Sequence, residues 1–256
     1  MLSFLTTALL SALEGLTEFL PISSTGHLIL ASHIMGLAAD NRLEAFEIFI
    51  QAGAISAVII IYAKKLWQNF NLWRKILVGF IPTGILGLFF SRYLSQLLTN
   101  TGLVLAMLLA GGLFFLVWDR IARRFKVSAK ALEQVTYRQA IAIGLAQSIA
   151  MIPGVSRSAA SIFGGLIVGL EKEVAVEFSF LLAIPTIFAA SALAIIKNRS
   201  ILDKDDFLLF SIGFFIALAT AWWAIRFFLG YLKKHSFAVF GWYRIILASL
   251  YALLIK

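Results

Sequence analysis

The feature that most constrains this chain is the recurrence of long apolar runs, such as Ala45–Ala63, Ile76–Phe90 and Leu103–Trp118. Such runs approach the length of about 20 residues with which an α-helix crosses a bilayer. Charged residues make up only 14% of the sequence, against about 25% in an ordinary soluble domain. The runs are continuous and do not alternate, which excludes a β-barrel. The sequence therefore predicts an all-α polytopic membrane protein, with one integral membrane domain over residues 1–256.

An internal repeat is predicted to divide the chain into two halves. The segment LEGLTEFLPISST in the first half resembles AQSIAMIPGVSRS in the second. Aligning Ser23 with Ser156 fixes an offset of 133 residues (156 minus 23). Identities are few, but the order of apolar segments agrees throughout. This agreement predicts repeats of approximately 1–123 and 134–256.

Each half begins with two apolar segments that are too short to cross a bilayer. In the second half they are Ala140–Ile152 and Ile162–Leu170, and His27–Leu37 is similarly short in the first half. Leu2–Leu20 is long enough, but its two glutamates and the proline that follows indicate that it stops partway. Segments of about 10–14 residues fit re-entrant pieces. Each half is therefore expected to form one re-entrant helical hairpin and three transmembrane helices, which gives six full spans and about ten helical segments.

The charges of the connecting segments predict how the chain lies in the membrane. Because three spans is an odd number, the second half must enter from the opposite side, as an inverted repeat. The connecting segments then carry thirteen basic residues on one side and six on the other. By the positive-inside rule the richer side is cytoplasmic, so both termini and the opening of the site are expected on the outer side. Topology and contacts with membrane lipids thus explain the net charge of +9, which does not indicate nucleic acid.

The two hairpin tips carry most of the polar chemistry of the sequence. The stretch EFLPISSTGH, residues 18–27, contains a proline and a glycine, and Pro153 and Gly154 lie in the second tip. Irregular backbone at membrane depth occurs only inside protein or beside a wet cavity. Each tip then opens a short helix, whose N-terminal N–H groups suit an anion. Nearby hydroxyls either cap these helices or contact a ligand, and they belong to Ser23, Ser24, Thr25, Ser156 and Ser158.

Arg157 and His27 make the tips a candidate phosphate site. A guanidinium matches phosphate oxygens in bidentate geometry, although a structural ion pair with Glu14 or Glu18 is the other interpretation of Arg157. His27 follows Ser24 by three residues, within one helical turn. Its imidazole is therefore expected to approach the Ser24 hydroxyl as a base, or to protonate a leaving group. A structural hydrogen bond of His27 is the alternative.

Glu14 and Glu18 lie four residues apart, on one face of a helix. Two carboxylates at this spacing repel each other. A shared proton or a divalent cation bound with substrate phosphate oxygens would resolve the repulsion. A proton relay or a pore-lining pair is the alternative interpretation.

These motifs resemble those of the undecaprenyl-diphosphate phosphatase family of bacterial inner membranes, the bacitracin-resistance phosphatases. The first motif of that family is Glu or Gln, three residues, then Glu. It matches Glu14 to Glu18 and continues as FLPISSTGH through His27. The second motif, PGxSRSxxT, matches from Pro153 and departs at Ser161, which stands where the family has threonine. The resemblance covers essentially the whole chain.

The resemblance implies removal of one phosphate from undecaprenyl diphosphate, with phosphate released on the outer side. The product is the lipid carrier for peptidoglycan and other cell-wall polymers, and the activity confers resistance to bacitracin. The resemblance also implies a divalent cation, Mg²⁺ or Ca²⁺.

Carried over to this chain, the resemblance assigns a role to each tip residue. Ser24 supplies the nucleophile or assists it, His27 acts as acid or base, and Arg157 binds phosphate. Glu14 and Glu18 form the metal or proton site. Which of Ser24 and His27 attacks phosphorus stays open. The supporting phosphate contacts are Ser23, Thr25, Gly26, Ser156 and Ser158.

A secondary transporter is the main alternative from another class, since inverted repeats with broken helices are a transporter architecture. It would move an anion or flip the lipid carrier, and hydrolysis coupled to flipping also stays open. A transporter needs an anion site but has no evident use for Ser24 beside His27. A purely structural scaffold is disfavoured, because ionisable groups within a membrane cost free energy. A homodimer is compatible with the sequence.

Overall fold

A computed structural model describes residues 3–38, 40–97, 100–198 and 204–254. Within these ranges the chain forms ten α-helices and two short 3₁₀ helices, and no strand. This confirms the predicted all-α class and the expected number of helical segments. The helices are α1 (Phe4–Thr17), α2 (Ser24–Ile34), α3 (Asn41–Gln68), α4 (Phe70–Leu97), α5 (Thr101–Ala122), α6 (Tyr137–Ser148), α7 (Arg157–Ile167), α8 (Lys172–Asn198), α9 (Lys204–Leu232) and α10 (Ala238–Leu254).

Five helices, α3, α4, α5, α8 and α9, are long and apolar enough to cross a membrane by length and composition. The sixth expected span corresponds to α10, which has 17 residues. At 1.5 Å per residue such a helix rises about 26 Å, less than a hydrocarbon core of about 30 Å. The described residues therefore give five candidate spans where the sequence predicted six.

The long helices present large apolar side chains outward. Phe89 on α4, Leu113 on α5 and Trp223 on α9 are 76%, 59% and 56% exposed. A soluble monomer rarely exposes apolar surface on this scale, whereas lipid tails solvate it at no penalty. The chain is thus an α-helical, multi-pass membrane protein.

One hairpin of two short helices precedes the long helices in each half. The helices α1 and α2 have 14 and 11 residues, and α6 and α7 have 12 and 11. In each hairpin the two short helices pack on each other. We call the segments that join them the first tip (residues 18–23) and the second tip (residues 149–156). None of the four hairpin helices is long enough to span a bilayer, as the sequence predicted.

The two halves repeat the same order of helices. Shifting α2 by 133 residues (157 minus 24) gives the bounds of α7. In addition, α1 packs on α9 as α6 packs on α4, and α5 packs on α10. An internal repeat predicts this pattern of helix pairs. The opposite orientation of the halves in a membrane stays a prediction.

Glycines let the hairpins lie directly against the long helices. A Cβ added at Gly15 of α1 would overlap Thr220 and the backbone of α9. A Cβ at Gly144 of α6 would likewise overlap the carbonyl of Gly79 in α4. Helices in membranes approach closely where such small residues meet. These contacts fix the depth of both hairpins, and hence the position of both tips.

Candidate functional site

Each tip ends at a serine that caps the helix after it. The Ser23 hydroxyl accepts a hydrogen bond from the Gly26 N–H (3.3 Å), and the Ser156 hydroxyl accepts one from the Ala159 N–H (3.2 Å). Ser23 has φ 72° and Ser156 has φ 77°, and no other described non-glycine residue has positive φ. This backbone conformation costs roughly 1–3 kcal/mol and clusters at functional sites. The two tips therefore share one strained geometry at equivalent positions.

The tips and the middle of α3 and α8 enclose a cavity of about 190 Å³, which we call the tip cavity. Its polar lining contains one guanidinium, one carboxylate, one amide and five hydroxyls. These groups belong to Arg157, Glu18, Gln51, Ser23, Ser24, Thr25, Ser156 and Thr186. Six of these residues were predicted from the sequence. A ligand site for a drug-sized molecule measures about 300–1,000 Å³, so the tip cavity suits a small polar group.

Glu18 connects the two halves of the tip cavity. One carboxylate oxygen, Oε1, accepts a hydrogen bond from Arg157 Nη2 at 2.9 Å, which forms an ion pair between the tips. The other oxygen, Oε2, accepts a hydrogen bond from the Ser24 hydroxyl. The predicted alternative for Arg157, a structural ion pair, is thus present. Both residues of this ion pair line the tip cavity.

Arg157 has further N–H donors besides the one in its ion pair. Its Nη1 donates to the Ser179 carbonyl at 3.1 Å, while its Nε has no hydrogen-bond partner among the described groups. The hydroxyl of Ser161, which replaces the family's threonine, donates to the Arg157 carbonyl and lies 2.6 Å from the Ser179 hydroxyl. The departure from the motif therefore retains a hydroxyl that supports the first turn of α7.

Ser158 joins the tips without lining the cavity. Its hydroxyl donates to the Leu20 carbonyl of the first tip at 2.7 Å and lies 3.1 Å from the Ser156 hydroxyl. Gly26 is likewise absent from the lining, and its N–H serves the Ser23 cap. Both residues were expected to contact phosphate, and here they hold the tips in shape.

His27 lies outside the tip cavity, and its ring nitrogens have other partners than Ser24. Its Nδ1 lies 2.7 Å from the Ser23 carbonyl, which can only accept, so Nδ1 carries the proton. Its Nε2 then accepts from the Tyr243 hydroxyl at 2.8 Å, and the two rings are stacked. Among the described hydrogen bonds, the expected pairing of His27 with Ser24 is replaced by the contact of Ser24 with Glu18.

Glu14 is buried one turn before Glu18 and does not line the cavity. Neither of its carboxylate oxygens has a hydrogen-bond partner among the described groups. A buried, unpartnered carboxylate requires a proton or a cation. In the described part of the chain, no group of three or more His, Cys, Asp or Glu residues has metal-binding geometry. Glu14 and Glu18 supply two carboxylates, so a hard cation bound there would need its remaining ligands from water or a substrate.

Four polar residues near the tips were missed from the sequence. Gln51 and Thr186 line the cavity from α3 and α8. Tyr243 binds His27, and Arg244 is buried beside the tips. A polar residue inside an apolar run was the available signal, because such residues are rarely tolerated in a membrane without a role.

Comparison with known proteins matches nearly the whole chain to one family. The family model described as Bacitracin resistance protein BacA matches residues 7–250. A protein of Campylobacter jejuni (strain 81-176) named Undecaprenyl-diphosphatase is 46% identical over 244 residues, which cover 95% of this chain and 91% of that protein. A protein of Aquifex aeolicus with the same name is 42% identical, with 95% of each chain covered. The chain therefore belongs to the bacitracin resistance protein BacA family.

Proposed function

We propose that this protein hydrolyses undecaprenyl diphosphate to undecaprenyl phosphate and inorganic phosphate. The observation that carries the proposal is the contact of Glu18 with both Ser24 and Arg157 in one small polar cavity. Phosphoryl transfer needs an in-line nucleophile and stabilisation of charge on the phosphate oxygens. The tip cavity supplies a hydroxyl for the first task and a guanidinium for the second. The names of the relatives agree with this activity.

The size of the tip cavity argues for a lipid whose head group alone enters the protein. A cavity of about 190 Å³ accommodates a diphosphate but no long hydrocarbon chain. The outward faces of the long helices are apolar and can accompany the polyprenyl tail within the membrane. A substrate with a compact diphosphate and a long apolar tail therefore fits both environments.

Ser24 is the proposed nucleophile, and Glu18 is the proposed proton acceptor. The Ser24 oxygen attacks the terminal phosphorus while its proton passes to Glu18, to which it already donates a hydrogen bond. The bond from that phosphorus to the bridging oxygen breaks, and the lipid monophosphate leaves with the bonding electrons. A water molecule then attacks the phosphoserine, Glu18 returns its proton to the departing Ser24 oxygen, and inorganic phosphate leaves with the oxygen and both protons of the water. The sum is one diphosphate and one water converted to two monophosphates.

Arg157 and the two helix N-termini stabilise the charge that develops on the phosphate oxygens. Arg157 lies in the cavity wall with an Nε–H that no described group accepts. The helices α2 and α7 both begin at the cavity, so their first N–H groups and dipoles favour an anion there. His27 supports the site indirectly, because its Nδ1–H donates a hydrogen bond to the carbonyl of the capping residue Ser23.

Glu14 and Glu18 are the residues that would hold a divalent cation, Mg²⁺ or Ca²⁺. A cation bound there would neutralise charge on the substrate phosphates. The unpartnered oxygens of the buried Glu14 support this assignment.

We also propose that the chain lies in the bacterial inner membrane, with its termini and the cavity opening on the outer side. There it would regenerate the lipid carrier for cell-wall synthesis and confer resistance to bacitracin.

Removal of divalent cations is expected to lower phosphate release from a long-chain polyprenyl diphosphate by at least about tenfold. The measurement is release of inorganic phosphate by the detergent-purified protein, with EDTA and after addition of Mg²⁺ or Ca²⁺. The variant Glu14→Gln is expected to lose this response without a lower melting temperature, because the amide keeps the shape of the carboxyl group and removes an acid whose ionisation is costly in a buried position. The exposed Glu173→Gln is the matched control.

Absence of phosphate release by the wild type, with every cation, would contradict the proposed function. The cavity would then be tested for transport, with the protein in vesicles that contain labelled phosphate or labelled lipid carrier. A transporter should tolerate Ser24→Ala, since an anion path does not require a nucleophile. The molar mass of the active detergent complex tests whether the protein forms a homodimer.

Tyr243→Phe is expected to lower kcat by about 2- to 10-fold, the effect of losing one hydrogen bond worth roughly 0.5–1.5 kcal/mol. The hydroxyl of Tyr243 donates to His27 Nε2, and without it the imidazole that supports Ser23 is held less firmly. The exposed Tyr137, whose hydroxyl binds Asn71 at the surface, provides the control Tyr137→Phe. A rise in kcat would contradict the positioning role. It would instead indicate that the hydrogen bond from Tyr243 holds His27 back from the reaction.

A further inference from the structure

Arg244 is a cation buried in the membrane protein without an acidic partner. It belongs to α10, and its side chain is completely inaccessible to solvent. No carboxylate in the described part of the chain forms an ion pair with it. Removing an unpaired charge from water carries a large free-energy penalty, so a fold retains such a residue only where many hydrogen bonds offset that penalty.

The guanidinium of Arg244 donates five hydrogen bonds, all to backbone carbonyls. Two go to α5, where Met107 accepts at 2.9 Å and Leu108 at 3.3 Å. The other three go to the tips. Pro21 of the first tip accepts at 3.4 Å, and Gly154 and Val155 of the second tip accept at 2.7 and 3.2 Å. One side chain thus uses every N–H of its rigid fork to join both tips to α5.

The carbonyls that Arg244 holds lie directly upstream of the reacting groups. Pro21 precedes Ser24 by three residues, and Val155 precedes Arg157 by two. Ser23 lies between Pro21 and Ser24, and Ser156 lies between Val155 and Arg157; these two serines are the described non-glycine residues with positive φ. Because the backbone there is strained, it needs an external constraint to keep its shape. Arg244 supplies the same constraint to both tips at once.

We propose that Arg244 is a positioning residue that sets the separation of the two tips, and with it the distance from Ser24 to the phosphate that Arg157 binds. This inference rests on the proposed function for its kinetic part. Its structural part, the joining of two tips by one guanidinium, does not. A misplacement of about 1 Å between reacting groups is enough to lower a rate about 10²-fold. The polyprenyl tail contributes to binding separately from the tips, so KM should respond much less than kcat.

The variants Arg244→Lys and Gly111→Ala test the inference in two ways. Lysine keeps the charge but has three donors on one atom and cannot reach five carbonyls. Gly111 lies in α5 against the guanidinium, and a Cβ added there would overlap Arg244 Nη2. Gly111→Ala therefore displaces the fork without removing it. Gly230→Ala, in α9, is the matched control, because a Cβ at Gly230 would meet nothing within 4 Å.

The first readout is hydrogen exchange of the backbone amides, followed by mass spectrometry, which does not depend on activity. Both Arg244→Lys and Gly111→Ala are expected to speed exchange at least about fivefold in residues 19–24 and in residues 152–158 together. Gly230→Ala is expected to leave both segments unchanged. Exchange that stays at the wild-type rate, or that rises in only one tip, would overturn the inference. If Arg244→Lys does not fold, Gly111→Ala still decides the result.

The second readout is phosphate release. Arg244→Lys and Gly111→Ala are expected to lower kcat about 10²-fold with KM changed less than about threefold. The double variant should match Arg244→Lys alone, because the alanine acts only through the guanidinium. Faster exchange in both tips with kcat within threefold of wild type would overturn the positioning role. Failure of the wild type to release phosphate would count against the proposed function instead. The exchange result would still test whether Arg244 joins the two tips.

Discussion

Ser24→Ala is expected to lower phosphate release at least about 10³-fold, because loss of an attacking nucleophile removes the covalent route and leaves only binding and electrostatic stabilisation. The fold should survive this change. Ser24 is the first residue of α2, while the cap of that helix is the hydroxyl of Ser23. Alanine is also a good helix former. The measurement is kcat for a long-chain polyprenyl diphosphate, with the melting temperature as the test of folding.

Ser56→Ala provides the control for the loss of a hydroxyl. Ser56 donates to a backbone carbonyl within α3 and does not line the tip cavity, so its kcat should stay close to that of the wild type. Acid quenching during turnover of substrate labelled in the terminal phosphate should leave the label on Ser24. Retention of more than about a tenth of the wild-type kcat by Ser24→Ala would contradict nucleophilic attack by Ser24. His27 would then be the remaining candidate.

The residues of the tips could be predicted from the sequence because their chemistry contrasts with everything around them. Prolines, glycines and hydroxyls within apolar runs indicate irregular backbone at membrane depth. The two short helices predicted after the tips are α2 and α7, which begin at Ser24 and Arg157, three and five residues before the predicted apolar segments His27–Leu37 and Ile162–Leu170. The serines before them lie at positive φ, a property that no local pattern of the sequence indicates.

The pairing of side chains across the site could not be predicted, because it depends on how distant segments approach. Spacing along one helix suggested Ser24 with His27. The approach of α10 instead brings Tyr243 to His27, across more than 200 residues. Arg244 follows it in the same helix and was missed, since its partners are carbonyls and no sequence motif records a carbonyl. Within the described residues five helices are long enough to be candidate spans, where the sequence predicted six. Apolar character alone does not distinguish the 17 residues of α10 from a full span.

Arg157→Met is expected to reduce phosphate release by about 10³-fold or more, the range seen when an arginine that stabilises transferred phosphate is removed. The same change also breaks the ion pair with Glu18, whose side chain is only 8% exposed. A buried carboxylate left without its partner costs about 3–5 kcal/mol. The single variant therefore combines a catalytic loss with a structural loss, and activity alone cannot separate them.

The double variant Glu18→Gln with Arg157→Met separates the two losses, because it removes both charges and leaves neither one buried alone. If Arg157 and Glu18 serve only as structural partners of each other, the double variant should recover both its melting temperature and its activity. If Arg157 binds the transferred phosphate and Glu18 accepts the proton of Ser24, the free energy of unfolding should recover to within about 1 kcal/mol of the wild-type value. Phosphate release should nevertheless stay at least about 10³-fold below that of the wild type. Arg123→Met, at the exposed end of α5, controls for loss of a basic residue. Substantial activity in the double variant would contradict the assignment of both residues to catalysis.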